Sequence, residues 1–147
     1  MSEGTGIRTI LVGVDGSDAS VEALRKAREL AGPLSARIVA LACWDVPPVY
    51  DGYVAMGIDD FDVRAGQILE ETVAKAFGDS KPENVEARLV QGHPRRVLID
   101  ESRNADMVIL GRRGHGGFGG LLLGSVSSAL VAHAHCPVLV VHTPEKR

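Results

Sequence analysis

The sequence has little of several features that mark particular classes of protein. Aromatic residues make up only 4% of its 147 residues, so we expect no platform for stacking single-stranded bases. Sixteen Lys and Arg against nineteen Asp and Glu give a formal net charge of −3, without the basic surplus that binds nucleic-acid phosphates. No apolar run approaches the roughly 18 residues of a membrane-spanning helix. We therefore expect neither a nucleic-acid-binding nor a membrane-spanning protein.

Cysteine is also scarce. Cys43 and Cys136 lie in apolar runs without CxxC or Cys/His spacing, which predicts two reduced and mostly buried thiols. The polar segment from Met1 to Gly6 lacks the apolar core of a signal peptide, so a cytoplasmic location is the expectation. No repeat, linker or low-complexity block divides the sequence, and its mass of 15.6 kDa suits one domain covering residues 1–147.

Five short apolar segments alternate with segments of helical periodicity. Strands are predicted at residues 9–14, 37–43, 85–90, 106–110 and 138–141. Helices are predicted to begin near Ser17 or Asp18, at Pro94 and near Val126, with a further helical face at Leu69, Val73, Ala76 and Phe77. Stops are predicted at Gly32-Pro33, Gly78 and Cys136-Pro137. This alternation predicts the α/β class: a single doubly wound, five-stranded parallel sheet with helices on both faces, a Rossmann-like arrangement. Residues 49–60 have no clear period and are predicted to form a long loop.

Glycines are concentrated after the fourth predicted strand, where seven of the 17 glycines lie between residues 111 and 124. Such density is expected where a backbone turns sharply or approaches a ligand closely. The segment ends in Gly124-Ser125 at the start of a helix, whose free N–H groups suit an anion. Ser125 and Ser127 add hydroxyls, and Arg112 and Arg113 add positive charge, so the pattern favours a polyphosphate over a loop without a ligand.

Two other nucleotide motifs do not fit. Residues 114–119 match GxGxxG, but they follow the fourth strand rather than the first and have no acidic residue about twenty positions later. The sequence contains no GxxxxGK[ST], which excludes a P-loop NTPase. His93 and His115 each lack a paired carboxylate or a second His at ligand spacing, so we predict no catalytic residue. Asp59, Asp60 and Asp62 could contact Mg²⁺, although a solvated loop explains them better, and the question of a metal stays open.

The glycine spacing resembles that of a known family. Gly111-Arg-Arg-Gly114, then nine residues, then Gly124-Ser125 has the form G-x2-G-x9-G-S. This is similar to the universal stress protein family, in particular its ATP-binding branch. Asp15-Gly-Ser17, Gly92-His-Pro94 and the segment from Cys136 to Val141 are also similar, so the resemblance extends from Ile10 to Val141.

The resemblance implies strand order 3-2-1-4-5 and ATP, with or without Mg²⁺, in the crevice at the carboxyl ends of strands 1 and 4. It also implies a homodimer formed through residues 138–142, with Val138 and His142 at its ends. The residues implied to bind the nucleotide are Gly13, Val14, Asp15, Ser17, Cys43, Leu110, Gly111, Arg113, Gly114, Gly124, Ser125, Val126 and Ser127.

Three functions remain open from the sequence. The first is an ATP-binding stress-response regulator whose nucleotide modulates how a dimer meets a protein partner. The second is a slow ATPase or phosphotransferase, for which the sequence offers phosphate-binding groups but no convincing base and no P-loop lysine. The third is a nucleotide-free interaction module that uses residues 111–124 as a partner loop. The sequence does not distinguish ATP from ADP, AMP or a cyclic nucleotide.

Overall fold

The computed structural model of the protein describes residues 6–45, 60–78, 81–112 and 124–142. Strands and helices alternate along it as the sequence predicts. They are β1 (Thr9–Val14), α1 (Asp18–Leu34), β2 (Arg37–Trp44), α2 (Phe61–Phe77), β3 (Val85–Gln91), α3 (Pro94–Glu101) with a 3₁₀ turn (Ser102–Asn104), β4 (Met107–Gly111), α4 (Ser125–His133) and β5 (Val138–Val141).

The five strands form one parallel sheet in the order β3-β2-β1-β4-β5, which confirms the predicted topology. β1 is central, and Leu11 is paired with Val39 on one side and with Val108 on the other. The chain reverses its direction of winding between β1 and β4. In sheets of this type, ligands bind at the carboxyl ends of the strands beside such a reversal.

Alternate residues of the strands supply two apolar cores, one on each face of the sheet. Ile10 and Val12 of β1 pack with the α1 and α2 side chains, including the fully buried Leu24. Leu11, between them in sequence, points to the opposite face and packs with the α3 and α4 side chains, including Leu130. Both faces of the central strands are therefore buried, which explains why the sequence shows them as continuous apolar runs.

Helix α1 is longer than the sequence predicts. It does not stop at Gly32-Pro33 but continues to Leu34, with Pro33 inside its last turn. A proline there removes only one amide donor from a helix that is already formed. The backbone leaves the helix at Ser35, which adopts a left-handed conformation with φ 55° and donates its amide to the Gly32 carbonyl.

The other two differences concern α2 and α4. Helix α2 begins at Phe61, so Phe61 and Asp62 are helical rather than part of an acidic loop. Helix α4 ends at His133, three residues before Cys136, because the backbone turns extended at Ala134. The predicted loop at residues 49–59 lies outside the described residues. Within the described ranges, no helix is long and apolar enough to cross a membrane.

Candidate functional site

A cleft of about 380 Å³ opens at the carboxyl ends of β1, β2 and β4. The described residues predicted to bind a nucleotide all line it: Gly13, Val14, Asp15, Ser17, Cys43, Leu110, Gly111, Gly124, Ser125, Val126 and Ser127. The two other predicted residues, Arg113 and Gly114, lie outside the described part of the protein. The structure therefore brings together, from three strands and two helices, every predicted residue that it describes.

The turn after β1 is held by its own side chains. Gly16 has φ +87°, a conformation that favours glycine, and it lets the backbone reverse into α1. Asp15 Oδ1 accepts hydrogen bonds from the Ser17 amide at 3.0 Å and from Ser17 Oγ at 2.5 Å. Ser17 Oγ in turn accepts from the Ser20 amide at 3.1 Å. Ser17 is therefore the N-cap of α1, with its hydroxyl proton engaged, while Asp15 Oδ2 has no partner among the described residues.

The start of α4 has no cap from a side chain. Its N-cap is Gly124, and the first amide to bond within the helix is that of Ser128, which donates to the Gly124 carbonyl at 2.9 Å. The amides of Ser125, Val126 and Ser127 have no acceptor among the residues that the structure describes. Unpaired amides at a helix N-terminus carry partial positive charge, so they suit a bound anion.

Two hydrogen bonds fix the start of α4 to the end of β4, and a third joins that end to β5. Ser127 Oγ donates to the Gly111 carbonyl at 2.9 Å, and Ser127 is buried. The Gly124 amide donates to the Arg112 carbonyl at 3.0 Å, and the Arg112 amide donates to the Val141 carbonyl of β5 at 2.9 Å. The hydroxyl proton of Ser127, which the sequence suggests for a ligand, is thus engaged within the protein, and its amide is the donor that remains.

Gly111 is required by close packing rather than by its backbone angles. A Cβ at this position would lie 2.5 Å from Ala19 Cβ and 2.6–2.7 Å from the backbone carbonyl carbon and oxygen of Ala19. The end of β4 therefore touches the first turn of α1 directly. This contact sets the distance between the two sides of the cleft.

The rest of the cleft wall is largely apolar. Its side chains belong to Val14, Leu41, Ala42, Cys43, Ala65, Ile68, Pro94, Leu98 and Leu110. Burial, with a smaller effect of the Glu101 charge, raises the pKa of the Cys43 thiol to about 11, so the thiol is neutral near pH 7. Ala65 and Ile68 of α2 were missed by the sequence reasoning. The available signal was their spacing of three residues, which places them on one face of a helix, next to the buried Leu69 and Val73.

The charges around the cleft are few. Of its described lining residues, Asp15 is the one acid and Arg112 the one base. His93 is the N-cap of α3, where its Nδ1 accepts from the Arg95 amide at 3.2 Å. The described residues contain no group of three side chains suited to a metal ion, and His115 lies outside them.

Comparison with known proteins identifies relatives along the whole described fold. The model of the universal stress protein family matches residues 6–142. The universal stress protein MJ0531 of Methanocaldococcus jannaschii is 32% identical over 145 residues, which cover 95% of this chain and 84% of that protein. The chain spans about half the length of some mycobacterial relatives that it matches.

Solved structures share the fold. The universal stress protein UspA from Lactobacillus plantarum has a TM-score of 0.74 and 26% identity, with coverage of 94% of this chain and 99% of that one. A universal stress protein in complex with cAMP has a TM-score of 0.67 and 27% identity, with coverage of 95% and 100%. One from Archaeoglobus fulgidus in complex with dAMP has a TM-score of 0.65, 22% identity and coverage of 90% and 96%, which supports the fold alone. The chain therefore belongs to the universal stress protein family.

Proposed function

We propose that the protein binds an adenine nucleotide, with ATP as the favoured ligand, and acts as a nucleotide-binding regulator in the stress response. The observation that carries this proposal is the cleft itself, which is lined by three helix amides without an acceptor among the described residues, by an apolar wall and by one carboxylate. The structure in complex with cAMP, which shares 27% identity with this chain, supports an adenine nucleotide as the ligand class.

The phosphate end of the ligand is assigned to the start of α4. The amides of Ser125, Val126 and Ser127 provide donors, and the helix dipole adds a favourable field for negative charge. Helix α1 is a poorer choice for an anion. Its first turn carries Asp18, and Asp15 lies beside it, so both would repel a phosphate.

The nucleoside end is assigned to the apolar wall and to Asp15. A flat purine ring can leave water at little cost in solvation free energy when it packs against aliphatic side chains such as Val14, Ala42 and Leu98. Asp15 Oδ1 is held by Ser17, which leaves Oδ2 as an acceptor for a ribose hydroxyl or an exocyclic amine. This polarity orients the nucleotide with its sugar near β1 and its phosphates near α4.

Regulation is proposed rather than turnover because phosphoryl transfer needs a positioned base close to the phosphates. Asp15 is the one carboxylate among the described lining residues, and it lies at the nucleoside end with Oδ1 bonded to Ser17. Binding would instead satisfy the amides at the start of α4. A measured ATP turnover that depends on the cleft would overturn this part of the proposal.

A homodimer formed through β5 is part of the proposal. β5 is an edge strand of four apolar residues, each partly exposed, and it pairs with β4 on one side. An unpaired apolar edge favours association with a second strand. Light scattering on the full-length protein tests this. A mass of two copies is expected, and the mass of one copy at micromolar concentration would contradict it.

The nucleotide is tested by denaturing the purified protein, chromatographing the released ligand, and titrating the nucleotide-free protein with ATP, ADP, AMP and cAMP, with and without Mg²⁺. Asp15→Asn keeps an acceptor for Ser17 but puts an NH₂ group at the free position, so affinity should fall about fivefold. Asp18→Asn, an exposed neighbour outside the cleft lining, is the matched control and should bind normally. Failure of every adenine nucleotide to bind would refute the proposal.

A further inference from the structure

Arg112 is fixed at the phosphate end of the cleft by its backbone. Its amide donates to the Val141 carbonyl at 2.9 Å, and its carbonyl accepts from the Gly124 amide at 3.0 Å. It is therefore bonded to β5 on one side and to the N-cap of α4 on the other. Arg112 lines the cleft together with Gly124 and Ser125.

The guanidinium of Arg112 is held by a second contact. Its Nη1 lies 2.9 Å from Nδ1 of His142, at the end of β5. Because a guanidinium only donates, Nδ1 must accept, and the imidazole in this contact is neutral. No carboxylate in the described part of the protein forms an ion pair with Arg112. Within the described ranges its side-chain partner, His142, is not an acid, so the charge stays available to an anionic ligand.

The number of donors at α4 limits what the helix alone can bind. Three amides can satisfy the oxygens of one phosphate group, whereas each further phosphate brings more negative charge and needs more donors. Arg112 is the one cation among the described lining residues. Its forked guanidinium can donate two parallel hydrogen bonds to a phosphate.

We propose that Arg112 sets the preference of the cleft for adenosine di- and triphosphates over the monophosphate, and that His142 is the positioning residue that holds the guanidinium there. The inference rests on the proposed function, since it assumes that an adenine nucleotide occupies the cleft. Arg112 occupies the first of the two unspecified positions in Gly111-Arg-Arg-Gly114, so the spacing alone does not assign it this role.

The test compares ATP, ADP and AMP affinities by calorimetry on the full-length protein. Arg112→Gln should weaken ATP about tenfold, as expected for one charge-assisted interaction, and AMP by less than about twofold. Arg103→Gln makes the same change of charge at an exposed position outside the cleft lining and should leave all three affinities unchanged. An unchanged ratio of ATP to AMP affinity in Arg112→Gln would overturn the inference.

The role of His142 is tested with two variants of different chemistry. His142→Leu removes the acceptor and should reduce the ATP preference about threefold, while His142→Asn returns an acceptor at the δ position and should restore it. Equal effects of Leu and Asn would overturn the positioning role. Wild-type protein that binds no adenine nucleotide would instead refute the proposed function, so the two failures are distinguishable. Melting temperatures of all variants control for folding.

Discussion

Two helices, α1 and α4, begin at the same cleft, and their first turns differ. Helix α1 is capped by the Ser17 side chain, has Asp18 in its first turn and is preceded by Asp15. Helix α4 is preceded by Gly124, is not capped by any side chain and has no acid in its first turn. Both follow a central strand of the sheet, so topology alone would make either a candidate for an anion. The side chains decide between them, because α1 supplies its own negative groups, whereas the first three amides of α4 have no acceptor in the part of the chain that the structure describes.

This difference gives the cleft two chemically distinct ends. Acceptors lie at the end of β1 and donors at the start of α4. The contact between Gly111 and Ala19 fixes how far apart they are. A ligand with an anionic tail and a neutral, hydrogen-bonding head fits this arrangement in one orientation only. A nucleotide has this pattern of charge, whereas a symmetric dianion does not.

The largest loss of ATP affinity is expected when the start of α4 is changed to resemble the start of α1. Gly124 has extended backbone angles (φ −66°, ψ 167°), and a Cβ there would meet its nearest atom, the Arg112 carbonyl oxygen, at an ordinary 3.5 Å. Gly124→Asp should therefore fold, with the free energy of unfolding raised by a few tenths of a kcal/mol. Its carboxylate would take the amides and repel a phosphate, so ATP affinity should fall more than about a hundredfold. Calorimetry measures the ATP affinity, and urea denaturation measures the unfolding free energy. Tight ATP binding by this variant would exclude the start of α4 as the phosphate site.

The close contact between the end of β4 and the first turn of α1 is tested by glycine substitution. Gly111→Ala drives a Cβ into the backbone of Ala19, so unfolding free energy should fall by about 3 kcal/mol. Gly13→Ala is the matched control. Its Cβ would meet only the ends of the Leu110 and Leu98 side chains, at 2.8 and 3.1 Å. Because these side chains can move, the unfolding free energy should fall by about 1 kcal/mol. Equal losses in the two variants would show that the backbone contact does not fix the cleft.

Two substitutions at Ser125, with a smaller expected loss of ATP affinity, distinguish binding by the α4 amides from binding by the serine hydroxyl. Ser125 is the first residue of α4, and Gly124 before it already has the extended conformation that a following proline requires. Ser125→Pro should leave stability within about 1 kcal/mol and weaken ATP about tenfold, because one donor is lost. Ser125→Ala keeps the amide and should change affinity by less than about threefold. The reverse order of the two effects would assign the phosphate contact to the hydroxyl.

The smallest effect on binding is expected on the α1 side. Ser17→Ala removes the cap from Ser20, so unfolding free energy should fall by about 1 kcal/mol. ATP affinity should change by less than about threefold, because the Ser17 hydroxyl is engaged within the protein. A tenfold loss of affinity in a folded variant would make Ser17 a ligand contact after all.

Much of this arrangement was predictable because it depends on local patterns. Apolar runs and helical spacing predicted all five strands and four helices, and their alternation predicted the parallel sheet. The position of the cleft followed from topology, since the segments Gly13 to Asp18 and Gly111 to Ser127 begin at the ends of the two strands at the reversal. The confirmed strand order places the carboxyl ends of β1 and β4 side by side.

The rest depends on contacts between residues distant in sequence. Ser127 donates to a carbonyl sixteen residues earlier, and no local pattern shows that its hydroxyl is engaged. Ala65 and Ile68 became cleft residues because α2 lies over the end of β1, where Ile68 approaches Gly16. The length of α1 was set by Ser35, whose left-handed conformation is rare for a residue other than glycine. Each of these features follows from tertiary packing.

The most direct measurement is an amide-resolved NMR titration of the nucleotide-free protein with ATP and, separately, with adenosine. If the start of α4 binds phosphate, the amide signals of Ser125, Val126 and Ser127 shift strongly with ATP and much less with adenosine. The Ser20 amide, which is already bonded to Ser17, shifts little with either. Saturation with ATP that leaves these three amide signals in place would contradict the assignment.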